Sequence, residues 1–180
     1  MQHNRNLLLY RDPTVDGIKT GFTDAAGYCL VASALRDGTR LIAVIMGSTS
    51  PVKRADAAQA LLNYGFRFFE TRTIYKAGQE LQKPRIWLGE QDFVSLGVAQ
   101  SSVMTIPRGQ EKLITTQVTV KKDIRGPIKK GQVLGDVTVS FNGTVRKHIP
   151  LVALTDVKKA GFFKGVWQHI YLFFLGLFNK

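Results

Sequence analysis

Arg36-Asp37-Gly38-Thr39 lies between two apolar, β-branched runs, Gly27 to Leu35 and Arg40 to Met46. An Asp-Gly pair between such runs is a strong hairpin signal, because the two-residue turn that matches strand twist needs positive φ at both central positions. The sequence therefore predicts an antiparallel strand pair. After Gly47 the apolar period changes. Ser50 suits a helix cap, Pro51 suits the first turn, and Ala55, Ala58, Leu61, Leu62, Phe66 and Phe69 recur at helical spacing. A helix of about five turns is expected to follow the hairpin.

Beyond Thr71 the texture changes to short strand-like runs: Arg85 to Leu88, Gln91 to Leu96, Ser102 to Ile106, Leu113 to Val120, Gln132 to Phe141 and Thr144 to Leu154. Pro107-Arg108-Gly109, Arg125-Gly126-Pro127 and Asn142-Gly143 punctuate them as turns. A small all-β, sandwich-like domain is expected over residues 72–157. At 180 residues the chain holds one large or two small domains, and its 44% hydrophobic content without low-complexity tracts places it among folded chains. The fold class is α+β.

The last segment, residues 158–180, differs from both. Phe162, Phe163, Val166, Trp167, Ile170, Phe173, Phe174, Leu177 and Phe178 follow the pattern of one helix face, with Lys164, Gln168 and His169 on the other side. The apolar stretch is well short of the roughly 20 residues that span a bilayer, so the expectation is an amphipathic helix lying in a membrane interface. Lys158, Lys159, Lys164 and Lys180 flank it and favour an anionic surface. The competing reading is a helix docked on its own domain. No secretory signal stands at the start; an exported protein truncated at its front and a cytoplasmic one look alike here.

Twenty-five Lys and Arg against 13 Asp and Glu leave a net charge of +12, which implies an anionic neighbour. The basic residues are scattered, in pairs such as Lys121-Lys122 and Lys129-Lys130, and no nucleic-acid-binding motif accompanies them. Lipid headgroups or cell-wall polymer fit that electrostatics better. The single cysteine, Cys29, excludes an intrachain disulfide and reads as a small buried thiol in an apolar run. His3, His148 and His169 lack ligand spacing, so neither a metal nor a cofactor is expected.

The chemistry centres on Val15-Asp16-Gly17-Ile18-Lys19-Thr20-Gly21-Phe22-Thr23, read as entering the first strand of the hairpin. Lys-Thr-Gly alone is a weak signal. The stretch from Asp16 to Ser33, followed in order by Val44-Ile45-Met46-Gly47, Arg54 at the head of the helix and Asn63-Tyr64-Gly65-Phe66 near its end, resembles the third active-site motif and its surroundings in penicillin-binding D-alanyl-D-alanine carboxypeptidases of the S11 type. The resemblance implies that residues 1–71 are the C-terminal part of a transpeptidase-like catalytic domain, followed by that family's β domain and membrane anchor. It implies that Lys19 sets a positive charge by the substrate carboxylate and the nucleophile, that Thr20 donates a hydrogen bond, and that Gly21 admits the substrate backbone. The Phe22 N–H becomes an oxyanion donor, and Thr23 and Arg54 bind the terminal carboxylate of a D-Ala-D-Ala stem peptide. Phe22 departs from the histidine frequent in close relatives.

The family's Ser-x-x-Lys and Ser-x-Asn should precede Lys-Thr-Gly. Ser50-Pro51-Val52-Lys53 and Ser140-Phe141-Asn142 match but follow it, and read as a helix cap and a strand entering a turn. The nucleophile is therefore expected outside this chain. The sequence reading is a fragment of a serine-type carboxypeptidase on the outer face of a bacterial cytoplasmic membrane, its complete enzyme a target of β-lactams. The alternatives are a non-enzymatic module docking on membrane and cell wall, and a β-lactamase fragment.

Overall fold

The computed structural model of the chain describes residues 3–161. They divide into two compact units, one holding the residues up to Arg72 together with Met104–Glu111, the other holding Thr73–Val103 and the described residues from Lys112 onward. Of the amphipathic helix expected over residues 158–180, Lys158 to Ala160 are instead bridged to Leu88 to Glu90, the Lys158 carbonyl accepting from the Glu90 amide and the Ala160 amide donating to the Leu88 carbonyl; the stretch from Phe162 onward lies outside the described residues. No helix among the described residues is long and apolar enough to cross a membrane.

The first unit opens with a one-turn helix, α1 (Leu8–Arg11), followed by β1 (Val15–Thr23), β2 (Gly27–Arg36) and β3 (Thr39–Ser48), which form an antiparallel sheet in that order. Asp37 and Gly38 join β2 to β3 with φ of 48° and 75°, the paired positive values that a tight hairpin turn demands. Lys19-Thr20-Gly21 does not open the first strand of that hairpin. It occupies the middle of a separate strand, β1, which turns into β2 through Asp24-Ala25-Ala26. The Thr23 hydroxyl accepts from the Ala26 amide at 3.0 Å, and Gly27 closes the turn at φ 63° where an added Cβ would stand 2.9 Å from the Ser48 carbonyl oxygen.

Helix α2 (Pro51–Phe68) begins where the Ser50 hydroxyl accepts from the Lys53 amide at 3.1 Å. Its buried stripe of Ala55, Ala58, Leu62 and Phe66 joins Leu30, Ala32, Ala34 and Ala43 of the sheet in one core. Small side chains allow close approach, and at Gly65 an added Cβ would lie 2.5 Å from a Leu41 methyl. Arg36 lies over the Phe66 ring at 4.5 Å while donating to Asp12, Thr14 and Asn63 at 2.5, 3.1 and 3.0 Å.

In the second unit β5 (Glu80–Gln82), β6 (Leu96–Gly97), β10 (Thr144–Ala153), β9 (Val133–Phe141) and β8 (Ile114–Val120) make an antiparallel five-stranded sheet in that spatial order. Asn142 and Gly143, at φ 49° and 74°, repeat the Asp-Gly device between β9 and β10. Strands β4 (Phe69–Tyr75) and β7 (Ser102–Pro107) form a two-stranded ribbon. The runs from Arg85 to Leu88 and from Gln91 to Ser95 are not strands. Single bridges such as Arg85↔Phe93 and Trp87↔Arg125 pin them, and Leu88, at φ 58°, interrupts any extended run. These irregular segments nonetheless bury Ile86 and Val94, and the bridged segments farther along the chain bury Ile124, Ile128 and Val157. Backbone contact at Gly126, where a Cβ would stand 2.8 Å from the Gly89 Cα, leaves no room for side chains between them.

Asp12 carries a testable load. Burial pushes its carboxyl up, but hydrogen bonds from the Thr14 hydroxyl and amide and the charge of Arg36 outweigh burial and hold it below the ordinary value of 3.8. A depressed folded-state pKa gives stability that is full above 3.8 and is lost as pH falls through the lower folded value. Asp12→Asn is expected to lower unfolding free energy at pH 7 by roughly 1–3 kcal/mol. In urea titrations the gap from wild type should close as the pH falls below 3.8.

Candidate active site

In the first unit, a cavity of about 660 Å³ opens between β1, the residues before α1 and the start of α2. Lys19, Thr20, Gly21 and Phe22 line it from β1, Pro51 and Arg54 from α2, Tyr28 from β2, and Arg5 and Leu7 from the N-terminal segment. Among the described residues β1 is an edge strand, paired as a strand with β2 alone, so its outer side can receive an extended ligand.

Arg54 is buried, with 4% of its surface exposed. One of its terminal nitrogens donates to the carbonyls of Gly21 at 3.3 Å and Cys29 at 3.2 Å; the other donates to the carbonyl of Arg5 at 2.8 Å. Its guanidinium also sits 5.6 Å from the centre of the Tyr28 ring. No carboxylate is paired with it among the described residues. Three carbonyl dipoles and an aromatic face thus compensate a buried cation without neutralising it, which leaves a positive field in the cavity. These three contacts leave two of its five N–H groups without a carbonyl partner among them.

Lys19 is exposed on β1, its ammonium donating to the Thr20 carbonyl at 2.9 Å. Thr20 is half-buried opposite Leu30, whereas Gly21 pairs with Cys29 and adds no side chain to the strand's surface. Phe22 pairs across the strands with Tyr28, their ring centres 4.4 Å apart. The cavity is lined by Arg5, Lys19 and Arg54 and by no acidic residue, so its complement is an anion such as a carboxylate. Thr23 is not on its wall; its hydroxyl oxygen takes the Ala26 amide in the turn beyond. Cys29 is half-buried rather than buried, its Sγ 3.4 Å from the Ala26 carbonyl oxygen. Arg5, Leu7 and Tyr28 were not anticipated. Tyr28 becomes legible once β1 is recognised as its own strand, since the register then sets it opposite Phe22; Arg5 and Leu7 carry no local signal.

The Ser50 hydroxyl, in the Ser-x-x-Lys string that follows the motif, is occupied as the α2 cap. Ser140, in the Ser-x-Asn string, lies in β9 beside its turn.

Residues 69–159 match the family profile Penicillin-binding protein 5, C-terminal domain, and residues 1–50 match D-alanyl-D-alanine carboxypeptidase, peptidase S11. The chain is 40% identical over 175 residues to D-alanyl-D-alanine carboxypeptidase DacC of Escherichia coli, covering 96% of this chain and 44% of that protein. It is 41% identical to DacA of the same organism, covering 96% of this chain and 43% of that one. A crystal structure of penicillin binding protein 5 from Haemophilus influenzae superposes with a TM-score of 0.77 at 37% identity, covering 88% of this chain and 47% of that one. The chain spans less than half the length of each.

Arg54→Ala strands three carbonyl acceptors that converge on one point. The expected result in urea unfolding is a loss of about 1.5–3 kcal/mol. Arg54→Lys should recover only part of it, because a single ammonium cannot reach all three carbonyls with the planar fork's geometry.

Proposed function

The chain belongs to the penicillin-binding D-alanyl-D-alanine carboxypeptidases, and we propose that it supplies the substrate-binding wall of a serine-type enzyme that removes the terminal D-alanine from peptidoglycan stem peptides. The observation that carries this reading is the cavity beside edge strand β1 that Lys19, Thr20 and Arg54 line together, with no acidic residue on the wall. In the complete enzyme a serine hydroxyl attacks the carbonyl of the penultimate D-alanine. The peptide bond breaks, the terminal D-alanine leaves as its amine form, and water then hydrolyses the acyl ester.

Each residue has a part in that sequence. The substrate backbone pairs with β1, and the missing Cβ at Gly21 lets it come close. The Phe22 N–H donates to the oxyanion. Lys19 and the Thr20 hydroxyl stabilise charge at the nucleophile and the substrate carboxylate, which Arg54 also receives, while Thr23, off the cavity wall, is left to its turn. Phe22 contributes its ring to Tyr28 rather than a polar side chain.

The same reading takes residues 1–71 as the end of a transpeptidase-like domain, 72–157 as a sandwich-like β domain and the stretch from Phe162 onward as an amphipathic anchor. That anchor would hold the protein on anionic lipid at the outer face of the cytoplasmic membrane, with β-lactams as inhibitors of the complete enzyme. Neither Ser-x-x-Lys nor Ser-x-Asn precedes Lys19 in these 180 residues.

Two measurements test the proposal. Incubated with fluorescent penicillin, the 180-residue chain alone should show no covalent adduct on a denaturing gel; an adduct would place a working nucleophile within it. In an enzyme completed with the upstream segment of a relative, Lys19→Ala should lower turnover of a D-Ala-D-Ala peptide by about 10²-fold or more. Cys29→Ser should leave turnover near wild type, and equal turnover in both variants would remove the motif from the mechanism.

A further inference from the structure

Strand β10 is paired by β9 on one side along nearly its whole length, but on the other side β6 reaches only Val152 and Ala153. Among the described residues, the stretch from Thr144 to Leu151 therefore has one open edge. Residues 99–102 follow β6 after Val98, and together with Lys147 to Pro150, Val152 and Val133 they line a cavity of about 390 Å³.

The lining is of two kinds. Val133, nearly half exposed, joins Ile149, Pro150 and Val152 in an apolar part. Its polar part is Gln100, Ser101, Ser102, Lys147 and His148, again without a carboxylate. Ser101 is occupied, its hydroxyl accepting from the Ala77 amide at 3.0 Å. Ser102 is 2% exposed, and its Oγ is a buried side-chain polar atom with no hydrogen-bond partner. Native proteins seldom leave such an atom unpaired unless something else completes it. His148 is held by its Nδ1, 3.0 Å from the Asp136 carboxylate and 3.4 Å from the Thr138 hydroxyl.

We propose that this groove binds an extended acidic peptide, which adds to the open edge of β10 as a further strand. An edge strand carrying Arg146 and Lys147 discourages a basic strand through charge, and Pro150, which lacks an N–H, removes one donor from pairing with a strand of any charge. A strand bearing carboxylates at alternate positions meets the opposite situation: Lys147 and its neighbour Arg146 offer counter-charges, and the valines and Pro150 receive the intervening apolar side chains. Ser102 supplies a hydroxyl to a ligand backbone group. Every residue involved belongs to the second unit, so the proposal does not depend on the carboxypeptidase reading.

The test is fluorescence anisotropy on the full chain with a fluorescein-labelled Thr-Glu-Val-Glu-Val-Glu-Thr peptide. Saturable binding is expected, and Lys147→Glu should weaken it by about tenfold or more, since it reverses a charge at the contact. Lys83→Glu, the same charge change elsewhere in the unit, should alter affinity far less. A peptide of the same sequence N-methylated at alternate amides should not bind. Equal binding of the methylated peptide would overturn strand addition, and equal loss with Lys83→Glu or Lys19→Ala would overturn the assignment to this groove. Dextran sulfate competing as well as unlabelled peptide would reduce the effect to general charge and overturn peptide recognition. Ser102→Ala gives an independent readout. It should raise the melting temperature of the ligand-free chain and weaken the peptide, whereas a more stable variant with unchanged affinity would make the hydroxyl a packing defect and remove it from the site.

Discussion

Three main-chain carbonyls, from Arg5, Gly21 and Cys29, converge on the buried guanidinium of Arg54, and the cavity in the first unit is organised around that convergence. Each carbonyl comes from a different segment: the residues before α1, the middle of β1 and the start of β2. Helix α2 brings the cation to them. Its first turn is set by the Ser50 cap and Pro51, which fix Arg54 one turn in, and its stripe of Ala55 and Ala58 lets the helix lie close enough for the side chain to reach. Asn6 reinforces the arrangement by accepting from the Leu8 amide at 3.2 Å and donating to the Gly17 carbonyl at 3.4 Å, so the N-terminal segment is tied both to α1 and to β1. A local capping preference thereby propagates into the position of a charge.

Features that depend on a few adjacent residues were legible in the chain before any coordinates. Asp37-Gly38 and Asn142-Gly143 take paired positive φ because few other residue pairs tolerate it, and Ser50-Pro51 starts α2 because both residues suit a helix N-terminus. Features set by distant partners were not. The turn over Asp24-Ala25-Ala26 has no proline or Asn-Gly to announce it; it depends on the Thr23 hydroxyl and on the approach of Gly27 to Ser48, so β1 was merged with the strand after it. The segments around Ile86 and Val94 have strand-like composition because they are buried, but burial is met there by single bridges and a glycine contact instead of a ladder. Conversely, β4 and β5 are polar enough to escape notice, their pairing set by partners far along the chain. Lys19, Thr20, Gly21, Phe22 and Arg54 were named from the motif and share one cavity, while Thr23 serves the turn and Arg5, Leu7 and Tyr28 complete the wall.

The two cavities share a chemical character despite arising from unrelated geometry. In the first, an edge strand meets a helix; in the second, a long strand outruns its neighbour. Both present open strand backbone beside cationic side chains, and neither has a carboxylate on its wall. The net charge of +12 is thus not only a diffuse property of the surface. Part of it stands beside main chain that is free to pair, where charge and backbone hydrogen bonding can act on the same ligand.

The division into units is discontinuous, since the first takes back Met104–Glu111 after the chain has entered the second. The chain passes from one unit to the other after Arg72, after Val103 and after Glu111. A single protease nick at any one of these junctions cannot release the two units as whole pieces, because at least one product then carries residues of both. A recombination event with one crossover faces the same constraint. An exchange beginning at residue 73 would carry Met104–Glu111 along with the β-rich unit, so the donor's piece would have to fit the recipient's first unit through Arg108, whose amide donates to the Phe68 carbonyl and whose side chain donates to that of Phe66. In such a molecule modular inheritance requires co-adaptation at that short returning segment, a requirement that two beads on a string would not impose.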